Sequence, residues 1–468
     1  MKIAPNLLHT LTLSTLLATQ AYAAGPRPPV NPSIGLDGSA AMHSDSAASD
    51  TTYLPGTGNG NFKSELINLN GVCATVVLTR DGFPISICTD YSTLSPVVSI
   101  IDPDEHTVID RLIIGDGSVM GGIYAYINQL DQVVIADGTS ALLILNTKDE
   151  EGNWALSNER RINLSPYIPK GEAINAVNPA ADGSIWFVTD QGLVGRFDPE
   201  IYKVDTHRLK RGETVNNSFA NSGDGKVAVA TNNAVYLLEY KKKIKEIWRQ
   251  KYDSGSHRKP GKLSHGTGSS PTFFGPIKGT EYLTIADNAD SGDNLLIFNT
   301  ENKKSPLVCK VELPSNEVFG SENSPIGVGN SVILTSSYGY PFPIEDTLPP
   351  AIPATAPLGK GMYRVDVVSG NKKSKGNQCE LIWSNPVQSS AVPKLSVSDD
   401  YIYTFERIDE QYYYTVIDFL SGETVKKEKI GSGFMYDTQQ LAGNMGFKQT
   451  FWQGSNAGII KISPEQKR

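Results

Sequence analysis

The amino-acid sequence predicts an all-β protein, a β-propeller most simply divided into eight four-stranded blades. Units of several short strands recur along the chain with a period of about 40–60 residues. Turns that contain Gly or Asp separate the strands within each unit. No segment shows a convincing 3.6-residue hydrophobic period, so little helix is expected. Seven blades remain an alternative division of the units, and a pair of β-sandwiches or a β-solenoid is the alternative architecture.

The N-terminus has the three parts of a secretory signal. Lys2 supplies a positive start, an apolar stretch follows from Leu7 to Ala18, and the small residues Ala21 and Ala23 form a cleavage site. The apolar stretch is shorter than the roughly 20 residues that a membrane-spanning helix needs. The sequence therefore predicts a signal peptide over residues 1–23 and a periplasmic or secreted mature protein. It predicts no membrane span, and an ordinary buried helix is the alternative for this segment.

Residues 24–60 are rich in Pro, Gly, Ser, Ala and Asp and contain few large apolar side chains. Such a composition buries too little apolar surface to offset the entropy lost on ordering. It predicts a flexible leader over 24–60, followed by a single propeller domain over 61–465.

The third unit shows the repeat in full. Its strands are predicted at 173–177, 184–189, 193–197 and 203–209, with Gly183 and Gly192 in the turns. The first unit extends from Val72 to about Ile113. The middle strands of the other complete units are predicted at 132–138 and 141–145, 226–231 and 234–238, 282–287 and 294–299, 331–336 and 362–366, and 401–406 and 413–419.

After Ile430 the chain offers only three more strands, at about 438–443, 449–452 and 458–462. A fourth strand is available at the other end of the domain, over Phe62–Asn68. We therefore expect this N-terminal strand to complete the C-terminal blade and close the ring. Seven complete units and one shared unit give eight blades.

The four cysteines, Cys73, Cys88, Cys309 and Cys379, fit two disulfides in an exported protein. Cys73 and Cys88 flank a hairpin whose turn lies near Asp81, so they fall opposite each other. Cys309 and Cys379 occupy equivalent places in two successive units, where pairing depends on how closely the outer strands approach. No CxxC or Cys/His cluster indicates a metal site instead.

The charge balance argues against nucleic acid as a partner. The formal net charge is −8 and the pI is about 5.4, whereas binding to phosphates relies on clustered cations. The one dense basic run, Lys241 to Arg249, alternates with apolar residues at strand spacing and is interpreted as a charged edge strand.

Polar residues that precede the first strand of each unit are the candidate ligand-binding residues. The first strands of a propeller line its channel, so these side chains should meet at one mouth. They are Glu172, Asn175, Glu213, Asn217, Thr267, Glu322, Asn323 and Lys394. Carboxylate and amide oxygens in a ring are the ligands that Ca²⁺ accepts, and Glu322 with Asn323 is the metal site this pattern favours. The alternative is that these side chains cap turns and bind channel water.

His265 is the candidate catalytic residue, as a general base in the Gly-rich segment that precedes the fifth unit. No Asp or Ser stands at a spacing that makes a triad legible. A Pro-rich insert, residues 338–360, interrupts the sixth unit. Long inserts of this kind form lids or binding loops, or simply vary at the surface.

The units resemble the blades of the quinoprotein alcohol dehydrogenase-like propellers. The resemblance lies in a strand followed by Asp, two residues and Ser-Gly, as at Asp418–Gly422 and Asp366–Gly370. It implies the fold over residues 62–463. In that family a blade-docking Trp follows the turn in most units and adjacent cysteines lie beside the quinone. Here only Trp248 and Trp383 are comparable and no cysteines are adjacent, so pyrroloquinoline quinone is not expected.

Two classes of function remain open from the sequence. One is a propeller that binds a small molecule or Ca²⁺ at its channel mouth, with a hydrolase among the options because calcium-dependent lactonases offer a comparison for the Glu/Asn ring. The other is a protein-binding scaffold of the cell envelope. A quinone-dependent dehydrogenase is a third option, and the sequence names no reaction or substrate.

Overall fold

A computed structural model describes residues 24–115, 123–314, 318–369 and 377–465 of the chain. The described residues form eight antiparallel blades in a ring, each with four strands, which confirms the predicted β-propeller and favours eight blades over seven. The predicted signal peptide, residues 1–23, lies outside the described residues. The strands, in order from the centre of the ring outwards, are Gly71–Leu78, Pro84–Asp90, Pro96–Ile101 and Val108–Ile113 (blade 1); Tyr126–Ile127, Val133–Ala136, Ala141–Lys148 and Trp154–Asn163 (blade 2); Ile174–Pro179, Ile185–Thr189, Leu193–Asp198 and Lys203–Arg208 (blade 3); Ala220–Asn221, Lys226–Ala230, Ala234–Tyr240 and Ile244–Lys251 (blade 4); Thr272–Phe274, Tyr282–Ala286, Asn294–Asn299 and Leu307–Glu312 (blade 5); Ile326–Val328, Ser331–Thr335, Met362–Val368 and Gln378–Asn385 (blade 6); Lys394–Ser396, Tyr401–Ile408, Gln411–Asp418 and Thr424–Ser432 (blade 7); Asn444–Gly446, Thr450–Ser455, Gly458–Pro464 and Phe62–Asn68 (blade 8).

The hydrophobic pattern of each strand follows its place in the blade. The second strand of blade 3, Ile185–Thr189, is buried throughout, because neighbouring blades cover both its faces. The fourth strand, Lys203–Arg208, is exposed at Lys203 and alternates further along, because one of its faces meets solvent. The described residues contain little helix, namely the single 3₁₀ turns Glu345–Thr347 and Phe434–Tyr436.

Blade 8 joins the two ends of the domain, as predicted. Phe62–Asn68 pairs antiparallel with Gly458–Pro464 over seven residues, from Phe62 opposite Pro464 to Asn68 opposite Gly458. The strand from the N-terminal side is the outermost strand of this blade. The ring is therefore closed by main-chain hydrogen bonds.

Residues 24–60, which we name the plug, differ from the flexible leader that the sequence predicted. They lie against the inner strands of the ring. Their first half follows the lower mouth, the end of the ring at which the inner strands end, and passes the blades in descending order. Its successive contacts are Ala24 with Asp400, Pro26 with Gly329, Arg27 with Gly279, Asn31 with Pro179, and Ile34 with Asn128.

From Ser39 the plug returns through the channel in ascending order and meets the inner strands themselves. The contacts are Ser39 with Leu78, Ala40 with Ile127, Ser46 with Asn221, Ala47 with Phe273, Ser49 with Gly327, and Asp50 with Leu395, all between main-chain atoms. At the end of this pass Thr51–Thr52 forms a short strand parallel to Lys394–Ser396. The plug thus fills the channel with its own backbone.

The composition that suggested disorder is what allows the plug to fit. The channel is narrow, so the segment that passes through it must carry small side chains, and residues 39–50 are mostly Ser and Ala. The inner strands supply the hydrogen bonds that a buried backbone requires. These main-chain hydrogen bonds cannot be inferred from composition. The sequence therefore predicted a flexible leader over residues 24–60.

Both predicted disulfides are formed. Cys73 and Cys88 stand directly opposite each other on the first two strands of blade 1. Cys309 and Cys379 join the outermost strands of blades 5 and 6, with their Cα atoms 6.2 Å apart. The second bridge ties two neighbouring blades at the rim. None of the helices in the described part of the chain has the length and apolar character needed to span a membrane.

Candidate functional site

A buried polar cluster holds the plug at the centre of the channel. The imidazole of His43 lies 3.1 Å from the Asp50 carboxylate through Nδ1, and its Nε2 lies 3.4 Å from the hydroxyl of Ser270 and 3.3 Å from that of Ser324. The ammonium of Lys394, from blade 7, donates to Asp50 at 2.9 Å. Asp50 and Lys394 are fully buried. Lys394, a sequence candidate for ligand binding, is therefore engaged with the plug.

Two of the predicted glutamates are held by arginines of their own blades. Glu172 accepts from Arg208 at 2.7 Å, and Glu213 makes an equivalent ion pair with Arg249. Each also accepts from a second-strand threonine, at 2.8 Å in both blades. The shared pattern is structural: a carboxylate before the first strand ties the inner edge of the blade to its outermost strand.

Three other candidates come together across successive blades at the upper mouth, the end of the ring at which the inner strands begin. The amide of Asn175 donates to the main-chain oxygen of Asn217 at 3.0 Å, and the amide of Asn217 donates to that of Thr267 at 3.3 Å. The Thr267 N–H is bound to the hydroxyl of Tyr252 at 2.9 Å. The side-chain amides of Asn175 and Asn217 thus link blades 3, 4 and 5 through main-chain oxygens.

Glu322 differs from Glu172 and Glu213 because no arginine or threonine of the described residues forms an ion pair or hydrogen bond with its carboxylate. Part of its side chain reaches the surface, but both carboxylate oxygens are buried and have no hydrogen-bond partner among the described residues. Burial raises the pKa of this carboxyl to about 8, although the Lys262 ammonium and the main-chain N–H of Leu263 act in the opposite direction. The carboxylate lies over Gly268, where a Cβ would be 2.2 Å from Oε2. A side chain at position 268 would therefore displace it.

The surroundings of Glu322 are polar and buried. The amide nitrogen of Asn323 donates to Thr335 at 2.8 Å, while its buried Oδ1 accepts no bond from the residues described. Burial and the Glu322 carboxylate together raise the pKa of the Tyr124 hydroxyl. The Tyr124 ring stacks near that of His43, with centroids 6.4 Å apart. The unused acceptors of Glu322 and Asn323 thus lie above the buried polar cluster of the plug.

Two fully buried lysines, Lys259 and Lys262, lie near Glu322 and are paired with Asp293. Lys259 and Lys262 each lie 2.7 Å from Asp293, one at each carboxylate oxygen. The same carboxylate accepts the Ser321 N–H at 2.9 Å, which fixes the connection that carries Glu322. Both lysines are bound by Asp293 and by main-chain oxygens, so their charges contribute to the local potential from fixed positions.

The Pro-rich insert of blade 6 forms a lid with residues 253–266. The main chain of Arg258 pairs with Ala351 in a parallel bridge, and Gly339 donates to the Pro260 oxygen at 2.9 Å. The Tyr340 hydroxyl reaches across to the carboxylate of Asp437, which precedes blade 8. We name residues 253–266 and 338–360 the lid. It extends over one side of the upper mouth.

The structure gives His265 little of the setting that a general base requires. Its Nε2 lies 3.2 Å from the main-chain oxygen of Gly255, and the ring is half-buried. Within the described ranges, the hydrogen bond to Gly255 is the contact found for this ring, with no carboxylate or hydroxyl partner. Among the described residues, no three His, Cys, Asp or Glu side chains lie close enough together to serve as a set of metal ligands.

Sequence reasoning missed two features. The first is the polar cluster of the plug, for which the signal was His43, Asp45 and Asp50 within a Ser/Ala-rich stretch. The second is a pair of adjoining clefts of about 420 and 1050 Å³ at the outer seam between blades 8 and 1, which share Asp104 and Lys461. These clefts are open, and Lys461 is bound there to the Pro103 oxygen at 2.6 Å.

Comparison with known proteins supplies no function. No family model matches the sequence. An uncharacterized protein of Archaeoglobus fulgidus is 22% identical over 402 residues, which cover 78% of this chain and 75% of that protein. Among solved structures, a streptogramin B lyase has a TM-score of 0.47 at 10% identity and covers 86% of this chain and 98% of its own. The β-propeller domain of Cps50 (Swd1) from Myceliophteria thermophila has a TM-score of 0.41 at 10% identity, with coverages of 84% and 95%. A functionally unknown protein from Desulfotomaculum acetoxidans has a TM-score of 0.41 at 12% identity, with coverages of 79% and 96%.

Proposed function

We propose that the protein is an exported binding propeller that holds a small ligand beside Glu322 under the lid, either Ca²⁺ or an organic molecule that donates hydrogen bonds. The observation that carries the proposal is the buried carboxylate whose two oxygens have no partner among the described residues. Buried polar groups are almost always satisfied, so such an exception calls for a bound water, ion or ligand. Oxygen acceptors in excess require an occupant that brings donors or positive charge.

Ca²⁺ fits the chemistry of the nearest oxygens but needs more of them. Glu322 and Asn323 together offer three unpaired oxygens, whereas Ca²⁺ takes six to eight. The remaining ligands would have to be water or oxygens of a bound molecule. A cationic or polyhydroxyl organic molecule would instead satisfy the same acceptors by hydrogen bonds.

Hydrolysis is the reaction to assay first if an organic ligand is found. Without a bound cation, the pKa of Glu322, raised to about 8 by burial, leaves its carboxyl mainly protonated at neutral pH, as a general acid requires. Lactones and simple esters are suitable probes because their leaving oxygen accepts such a proton. The variant Glu322→Gln should then lose the activity.

Export is part of the same proposal. Its support is the signal-like N-terminus together with two formed disulfides, which persist in oxidising compartments.

The test is an analysis of what the purified protein holds. Elemental analysis would detect stoichiometric calcium, and mass spectrometry of the denatured protein would detect a released organic molecule. Thermal melting would follow CaCl₂, a chelator or the released molecule, since a ligand at a hundred times its Kd stabilises by about 2.7 kcal/mol. The shift should be absent in Glu322→Gln and unchanged in the matched exposed variant Glu410→Gln. If the purified protein holds no calcium and no organic molecule, and if no melting temperature shifts, the proposal is overturned.

A protein partner is the second candidate, favoured by an apolar patch on the upper face. Tyr91, Leu94, Phe434 and Met435 are each at least 43% exposed, and the rings of Tyr91 and Phe434 lie 6.4 Å apart. A photo-crosslinking residue at Phe434, compared with one at the exposed Ile277 of the lower face, should trap one specific envelope protein. Equal labelling from both positions would count against a scaffold function.

A further inference from the structure

Ala24 is the first described residue of the plug and is held on three sides. Its side chain is 3% exposed and packs in a core cluster with Ile326 and Val397 of blades 6 and 7. Its main-chain oxygen lies so close to Gly329 that a Cβ there would be 2.7 Å away. Its nitrogen lies 3.2 Å from the Oδ1 of Asp400. Ala24 therefore lies in a socket formed by the core of blades 6 and 7, Gly329 and Asp400.

The nitrogen of Ala24 also stands at the predicted cleavage point, after Ala21-Tyr22-Ala23. We infer that the mature chain begins at Ala24 and that the carboxylate of Asp400 binds its new α-ammonium group. An external endopeptidase would supply the cleavage. Water adds across the Ala23–Ala24 bond, the carboxylate stays with Ala23, and the freed amine takes up a proton.

Of the two adjacent carboxylates at this turn, Asp400 is the one that the Ala24 nitrogen contacts, at 3.2 Å. The neighbouring Asp399 already accepts from the Tyr403 hydroxyl at 2.7 Å and the Gly56 N–H at 2.9 Å. Arg27, three residues along the plug, is bound by Asp37 and Asp45. Asp400 itself has a φ of 56°, which fixes its backbone in the left-handed region that Asn tolerates best. Asp400→Asn therefore removes the charge with little strain.

The pH dependence of such a pair has a definite sign. A carboxylate partner raises the pKa of the α-ammonium above its unfolded value of about 7.7–8.0. The stabilisation is then fully present below the unfolded pKa of about 7.7 and is lost as the pH rises through the pKa of the folded state. An amide nitrogen at the same place does not titrate.

The experiment compares two forms of the protein, one beginning at Ala24 and one with two extra residues before it, each with and without Asp400→Asn. Hydrogen bonds to charged groups are worth about 1.5–3 kcal/mol. The substitution should therefore raise the unfolding equilibrium constant of the mature form at least roughly tenfold at pH 7, a conversion at 1.4 kcal/mol per tenfold. The effect should shrink by pH 9.5 and should be small in the extended form. Asp409→Asn, at an exposed position whose φ of 49° is similar, is the matched control.

A second measurement does not depend on the variant folding. The protein recovered from the cell envelope should begin at Ala24 by intact mass, and its α-amine should react with cyanate at least roughly tenfold more slowly when native than when unfolded in guanidinium, following the same pairing free energy. An N-terminus at another residue, equal reactivity in both states, or equal effects of Asp400→Asn in both forms would overturn the inference.

Discussion

The ion pair between Lys394 and Asp50 should be the main electrostatic anchor of the plug. Both groups are fully buried and 2.9 Å apart. Lys394→Met removes the ammonium that is 2.9 Å from the buried Asp50 carboxylate, which then keeps its hydrogen bond to the His43 ring. Breaking a buried pair in this way costs about 3–5 kcal/mol, because the remaining charge is not compensated. We expect that loss in urea unfolding of the disulfide-intact protein.

A double-mutant cycle separates the pair from its surroundings. Asp50→Asn suits the backbone, since Asp50 has a φ of 52° and Asn tolerates this region. Together with Lys394→Met it removes both charges, so the double variant should be more stable than the sum of the single losses predicts by up to about 3 kcal/mol. Single losses below about 1 kcal/mol, or additive losses, would refute the assignment of this pair as the anchor.

The chain offers a control that differs from this pair in burial alone. Lys448 and Asp104 are also 2.9 Å apart, but their side chains are 75% and 67% exposed. Lys448→Met should cost about 0–1 kcal/mol, since exposed ion pairs contribute little. Limited proteolysis adds a local readout, because loosening of the plug in Lys394→Met should expose the peptide bonds after Tyr53, whereas Lys448→Met should leave them as in the wild type.

The remaining predictions concern the rim and the upper mouth. Replacing both Cys309 and Cys379 by Ser opens a loop of 70 residues and should lower the free energy of unfolding by about 4 kcal/mol on the chain-entropy relation; an unchanged urea midpoint would contradict it. The pKa of Glu322 is about 8 in the folded protein against 4.5 in the unfolded chain. The stability that this carboxyl contributes is therefore fully present below pH 4.5 and is lost as the pH rises through 8. The free energy of unfolding should fall by at most about 1.4 kcal/mol per pH unit over that range. Urea unfolding between pH 5 and 9 should show that slope for the wild type and not for Glu322→Gln; parallel profiles would show that the carboxyl is not held protonated. Gly268→Ala should cost about 1–3 kcal/mol by overpacking against the carboxylate, whereas Gly60→Ala, where the nearest atom is 3.7 Å away, should cost much less in the same melts.

The architecture could be predicted because each blade has its own sequence signals within a short stretch of the chain. Alternating short strands and Gly/Asp turns mark each blade, and the spare strand at Phe62–Asn68 matched the blade that lacked one. The Cys73–Cys88 pair followed from the register of one hairpin. These inferences need only neighbours in sequence.

The plug and the upper mouth could not be predicted to the same degree because their partners are distant in the chain. The bonds of the plug are made with every blade, and composition carries no trace of them. Glu172 and Glu322 look alike in sequence, yet Arg208 neutralises the first while the second has no hydrogen-bond partner among the residues described. What distinguishes the two is a cation on a fourth strand, which only the folded blade brings into contact.

The plug also constrains the order in which this protein can fold. Ala24 finds Asp400, 376 residues further along, and Phe62–Asn68 must wait for the last strand of all. The contacts of the plug with the late blades 7 and 8 can therefore form only after most of the domain has been made. Contacts of such long sequence separation slow folding, so a propeller whose channel is filled by residues 24–60 should form slowly.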